Sequence, residues 1–118
     1  MLTIGTTVLG VNDVARSTAF WCDALGYVPR EEGDETWVVL VPHKGEGAHL
    51  ALMLSDTPVQ PRPRIHVDLY ADNQAGEVAR LLDLGASAVD WELYPEDADF
   101  IVLEDPDGNR FCVVDASA

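Results

Sequence analysis

Short runs of alternating or β-branched apolar residues occur twice along this chain, each time followed by a stretch with helical spacing. Thr3 to Val11 is rich in Thr, Val, Ile and Leu and reads as a strand. Asn12 and Asp13 follow, and Asp13 is a candidate N-cap. From Val14 to Leu25 the apolar stripe Val14, Phe20 (or Trp21) and Leu25 predicts a helix, with Gly26 placed to end it. Three short strands are expected next, at Tyr27 to Arg30, Thr36 to Val41 and His49 to Leu54. The turn chemistry of residues 31–34 and 42–47 separates them.

Residues 56–64 contain Pro58, Pro61 and Pro63, show no periodicity, and read as an extended linker. The order then starts again. A strand is expected from Ile65 to Tyr70, a cap at Asp72-Asn73, and a helix from Gln74 to Leu84 with Val78, Leu81, Leu82 and Leu84 apolar. Gly85 should end that helix. Strands at Ala88 to Leu93, Phe100 to Leu103 and Arg110 to Val114 complete the order, with the turn Asp105-Pro106-Asp107-Gly108-Asn109 before the last. Asp13 and Asp72 lie 59 residues apart, and so do Gly26 and Gly85. A repeat of this kind predicts one α+β domain over residues 1–118, built from two βαβββ modules at about 1–55 and 65–118.

Composition narrows the function classes. The chain has 118 residues and is 47% hydrophobic, enough for a core. Its 21 acidic and 7 basic residues give a net charge of −14. That balance argues against nucleic acid and anionic membranes as partners and is compatible with a cationic ligand, although an acidic surface also serves solubility alone. Cys22 and Cys112 form no CxxC pattern and read as reduced thiols of a cytoplasmic protein. The first residues show no basic, apolar leader, and no run is long enough for a membrane span.

Two βαβββ copies with Val11-Asn12-Asp13, Ser17, Phe20-Trp21 and Leu25-Gly26-Tyr27 resemble the vicinal-oxygen-chelate (glyoxalase/bleomycin-resistance/dioxygenase) superfamily. So do Ile65-His66-Val67-Asp68-Leu69, Leu84-Gly85-Ala86 and the Asp-Pro-Asp-Gly-Asn turn at 105–109. The resemblance covers nearly the whole chain. It implies cupped mixed sheets around a central cleft, and a homodimer. In metal-dependent members it implies one ligand on the first and one on the last strand of each module. The matching positions are Thr6, Ala51 or Met53, His66 and Cys112. Only His66 is a usual ligand type there, so no metal or other cofactor is expected. A softer zinc or copper site recruiting Asp68 or His49 beside His66 and Cys112 is the alternative.

Strand alternation sorts the remaining candidates. Val8 and Gly10 share the cleft face with Thr6, Met53 shares a face with His49 and Ala51, and Leu50, Leu52 and Leu54 are expected in the core. His66, Asp68 and Tyr70 should face the cleft together, as should Arg110, Cys112 and Val114. His66 is a structural histidine hydrogen-bonded to Asp68, Tyr70 or a backbone group, or else a ligand contact or general base. Asp68 is expected to pair with Arg110 or Arg64, or to recognise a cationic or hydroxylated ligand. Cys112 reads as a small filler rather than a nucleophile. Trp37, Trp91, Tyr94 and Phe100 are core or dimer packing, or the walls of an aromatic pocket, and Glu104 shares a face with Phe100.

The expected function is a small-molecule-binding protein that takes a planar or cationic ligand in an aromatic-lined cleft. Its ligand-binding residues would be Thr6, Trp37, Met53, His66, Asp68, Tyr70, Trp91, Phe100, Glu104, Arg110 and Cys112. The alternative is a glyoxalase-like lyase or isomerase that uses His66 as base or metal ligand.

Overall fold

The computed structural model describes residues 1–117. The chain divides into two compact units, Met1–Pro58 and the part from Val59 onward. The first unit contains β1 (Thr6–Val11), α1 (Val14–Leu25), β2 (Tyr27–Pro29), β3 (Trp37–Pro42) and β4 (His49–Leu54). Its sheet runs β1-β4-β3-β2, with β1 parallel to β4 and the other pairs antiparallel.

Local chemistry explains α1. The Asp13 carboxylate accepts the backbone N–H of Arg16 at 3.0 Å, satisfying one of the donors that a helix leaves open at its start. Gly26 closes the helix at φ +68°, a backbone conformation that costs a side chain and suits glycine. Between the caps, Val14, Ser17, Phe20, Trp21 and Ala24 are buried, a stripe at helical spacing that packs on β2, β3 and β4. Asp13→Ala is expected to cost about 1 kcal/mol of stability, read by urea unfolding. An unchanged midpoint would show that the cap contributes nothing.

The second unit repeats the order with β5 (Asp68–Ala71), α2 (Gln74–Leu84), β6 (Ser87–Ala88), β7 (Phe100–Glu104) and β8 (Arg110–Asp115). Its sheet runs β5-β8-β7-β6, again with the first pair parallel and the others antiparallel. The N-cap of α2 is Asn73, whose side chain accepts from Gly76 N at 3.1 Å. The caps are therefore 60 residues apart rather than the 59 read from Asp13 and Asp72. The helix of 12 residues in the first unit becomes one of 11 in the second, which restores the spacing of 59 at the closing glycines.

Four expectations need correction. The strand expected over 88–93 stops at Ala88. The next ladder donor, Val102 N–H, bonds instead to the Tyr94 hydroxyl at 2.8 Å, so the segment after Ala88 leaves the sheet. The strand expected from Ile65 begins at Asp68, and Ile65 is exposed. Leu54 is not core: it occupies the last ladder position, opposite Val11, and lies exposed beside the loop residues 33–35. On α2 only Leu81 is buried, while Leu82 faces solvent, so the apolar stripe is narrower than its leucines suggested.

Candidate functional site

The second sheet concentrates the chemistry because register stacks its alternating faces. Asp68 on β5 lies opposite Cys112 on β8, which lies opposite Val102 on β7. The next row is Tyr70, Val114 and Phe100. Side chains two apart on a strand share a face, so both rows point the same way. Phe111 and Val113, on the alternate positions of β8, are almost wholly buried in the core. The segment that leaves the sheet after Ala88 adds Trp91 and Leu93 over the rows, and Pro63 and Asp99 complete a cavity of about 520 Å³.

His66, Asp68, Tyr70, Trp91, Phe100, Arg110 and Cys112 all line this cavity. The other sequence candidates lie elsewhere. Glu104 is not among the lining residues, and its carboxylate oxygen lies 3.8 Å from Arg110 Nε. Thr6, Trp37 and Met53 belong to the first unit, where Trp37 and Met53 are ladder partners on an exposed part of the sheet and Thr6 lies opposite His49. Ala51, although on the face with Met53, is completely buried.

Two polar groupings give the cavity its character. His66 Nε2 lies 3.0 Å from Asp68 Oδ1, the contact that the structural reading of His66 offered, and Asp68 pairs with this histidine rather than with Arg110 or Arg64. Arg110 is engaged elsewhere: Nη1 donates to the Pro61 carbonyl at 2.8 Å, and the guanidinium lies 5.9 Å from the Trp91 ring centroid. Burial, then the charge of Asp68 and a hydrogen bond to it, push the Cys112 thiol up to about 11. At neutral pH it is a protonated thiol, which agrees with its reading as a non-nucleophile.

Pro63, Leu93, Asp99, Val102 and Phe111 line the cavity without having been assigned to it from the sequence, whereas Val114 was expected on this face. Val102 and Val114 were legible through alternation, since they share parity with Phe100 and Cys112. Leu93 shares parity with Trp91 in the strand expected over 88–93, whereas Asp99 lies in a segment without periodicity, where no sequence signal tells which side chains turn inward. Both cysteines are free thiols. Among the described residues no helix is long and apolar enough to cross a membrane.

A family described as "Glyoxalase-like domain" matches residues 6–114. No curated protein matches the chain. Among solved structures, a possible glyoxalase from Bacillus cereus is 20% identical, with a TM-score of 0.72 over 97% of this chain and 99% of that one. A glyoxalase-related enzyme from Fulvimarina pelagi is 19% identical, with a TM-score of 0.66 over 97% and 88%. The bleomycin-binding protein of Streptomyces verticillus, solved with copper(II)-bleomycin, is 15% identical, with a TM-score of 0.61 over 98% of each chain. At these identities the likeness is one of fold.

Proposed function

The chain belongs to the glyoxalase-like domain family, within the vicinal-oxygen-chelate superfamily, and on that premise we propose that it binds a planar or cationic small molecule in the second-module cavity. One observation carries this reading: the cavity joins aromatic walls, Trp91 and Phe100, to two carboxylates. Asp68 and Asp99 line it against Arg110, whose guanidinium is already held by Pro61 and Glu104. Aromatic faces attract flat rings and cations, and carboxylates add charge selectivity. The fold neighbour from Streptomyces verticillus, a bleomycin-binding protein, is a precedent for a binding role on this scaffold.

The superfamily's four-position hard-metal chelate does not fit these residues. Ala51 offers no donor and is buried, Met53 offers only a thioether, and Thr6 stands in place of an imidazole. The proposed binding therefore uses no Lewis-acid centre of that kind.

Calorimetry with planar heteroaromatic cations (acridine and phenanthridine dyes), and with anionic rings of the same size, tests the reading. Cations should bind and the anions should not; no binding of either would overturn it. Trp91→Ala is expected to weaken a binding cation about tenfold, the loss of roughly 1.4 kcal/mol of ring contact. Unchanged affinity would place the ligand elsewhere. A homodimer belongs to the same proposal, since Val8, Trp37 and Met53 leave apolar surface uncovered in the first unit. A monomer by light scattering at micromolar concentration would contradict it.

A second reading rests on the 3.0 Å contact between His66 and Asp68, which orients an imidazole as a general base does. The protein would then be a glyoxalase-like lyase or isomerase. Slow consumption of a bound ligand, followed by NMR and lost in His66→Gln, would move this reading to first place.

A further inference from the structure

Three donor atoms of different chemistry meet on the floor of the cavity. His66 contributes an imidazole nitrogen, Asp68 a carboxylate oxygen and Cys112 its Sγ, all within 4.8 Å of one another. Topology brings them there. His66 lies two residues before Asp68, the first residue of β5, and parallel register sets Asp68 opposite Cys112. The first module has the same parallel ladder, with Thr6, Val8 and Ala51 in the corresponding places. The grouping is thus a property of one module and not of the fold.

We propose that His66, Asp68 and Cys112 form a three-donor site for a borderline-soft cation, with zinc(II) the first choice, and leave a fourth coordination position open to the cavity beside Trp91 and Phe100. This site shares His66 and Cys112 with the positions of the chelate that the superfamily resemblance implies but is otherwise a different one. It lies within one module, it includes a thiolate, and Asp68 is not among the resemblance's positions. A mixed set of imidazole, carboxylate and thiolate selects zinc or copper over magnesium, calcium and manganese.

The geometry is close to what a tetrahedral zinc needs. Bond lengths of about 2.0–2.3 Å place two donors on one zinc about 3.3–3.6 Å apart. His66 and Asp68 are already 3.0 Å apart. The cysteine must approach by about 1 Å, a shift that a rotamer change in the neighbours can supply, because the side chains of His66 and Asp68 are 43% and 46% exposed. Binding exchanges one proton for the metal: the Cys112 S–H bond breaks, an S–Zn bond forms, and the proton passes to solvent. His66 gives up its hydrogen bond to Asp68, its Nε2 proton passes through solvent to Nδ1, and the freed Nε2 and the Asp68 oxygen then turn to the metal.

The inference rests on the cavity's geometry and not on the organic ligand, so metal alone tests it and either proposal can fail without the other. Cobalt(II) is the probe, titrated into tag-free full-length protein. One equivalent per chain should produce a near-ultraviolet thiolate-to-cobalt charge-transfer band that zinc(II) abolishes. The band should vanish in Cys112→Ser and persist in Cys22→Ser. Asp68→Asn changes a half-exposed side chain and should keep the fold while weakening cobalt binding about tenfold or more. If Cys112→Ser does not fold by circular dichroism, Asp68→Asn and His66→Ala decide. Absence of the band in the unmutated protein, its survival in Cys112→Ser, or unchanged affinity in both Asp68→Asn and His66→Ala would overturn the proposal.

Discussion

Trp21→Ala is expected to cost about 3–5 kcal/mol of stability, seen as a lower midpoint in urea unfolding. The indole is 1% exposed, on the buried stripe of α1, and meets the Phe20 ring edge-on at a centroid distance of 5.1 Å. The helix that carries it covers a sheet whose Leu40 and Leu52 are fully buried. Removing the ring loses its transfer energy and leaves a cavity that the surrounding strands, fixed by their ladders, can fill only in part. For a domain whose total stability is on the order of 5–15 kcal/mol, a loss of this size can remove much of the folded population at 37 °C. A cost under about 1 kcal/mol would mean that the first module's core is not packed as described.

Asp105→Ala should be almost as damaging, at about 2–4 kcal/mol, although it deletes only a carboxylate from a turn. Asp105 is 2% exposed, and its Oδ1 accepts the backbone N–H of Asp107 at 3.0 Å and of Asn109 at 2.9 Å. Its own backbone completes the turn, donating to Asn109 O at 2.8 Å and accepting from Gly108 N at 2.9 Å. Gly108 sits at φ +87°, which the chain needs in order to reverse between β7 and β8. Alanine would strand two donors where water has little access. Asp105→Asn keeps one carbonyl oxygen for them and should cost about 1 kcal/mol or less. Equal losses for the two variants would show that charge, and not the paired acceptance, holds the turn. Because this turn joins the strands that carry Phe100, Arg110 and Cys112, Asp105→Ala should also weaken cavity binding in whatever fraction stays folded.

Much of the architecture was legible from the residues. Asp13 and Gly26 mark the ends of α1, Gly85 marks the end of α2, and both helices span the residues expected. The βαβββ order recurs, and alternation correctly set His66, Asp68 and Tyr70 on one face with Cys112 and Val114. These features depend on backbone sterics and side-chain period, which act within a few residues. Of the two residues offered as the second cap, Asp72 and Asn73, the structure uses Asn73.

What only the tertiary structure decided is which side chains meet. For Asp68 the sequence left Arg110, Arg64 and His66 open as partners, since alternation says who shares a face and not who touches. Register placed Cys112 opposite Asp68, Arg110 went to Pro61 and Glu104, and His66 took the carboxylate. The strand after Ser87 ended early because a hydroxyl from Tyr94 occupied a ladder donor, a contact no local pattern encodes. That departure freed Trp91 and Leu93 to cover the cavity. The sequence by itself determined the elements, their faces and their repetition, since those follow from short-range periodicity. The gathering of His66, Asp68 and Cys112 under an aromatic wall in one module followed from strand register and loop path, which long-range packing sets.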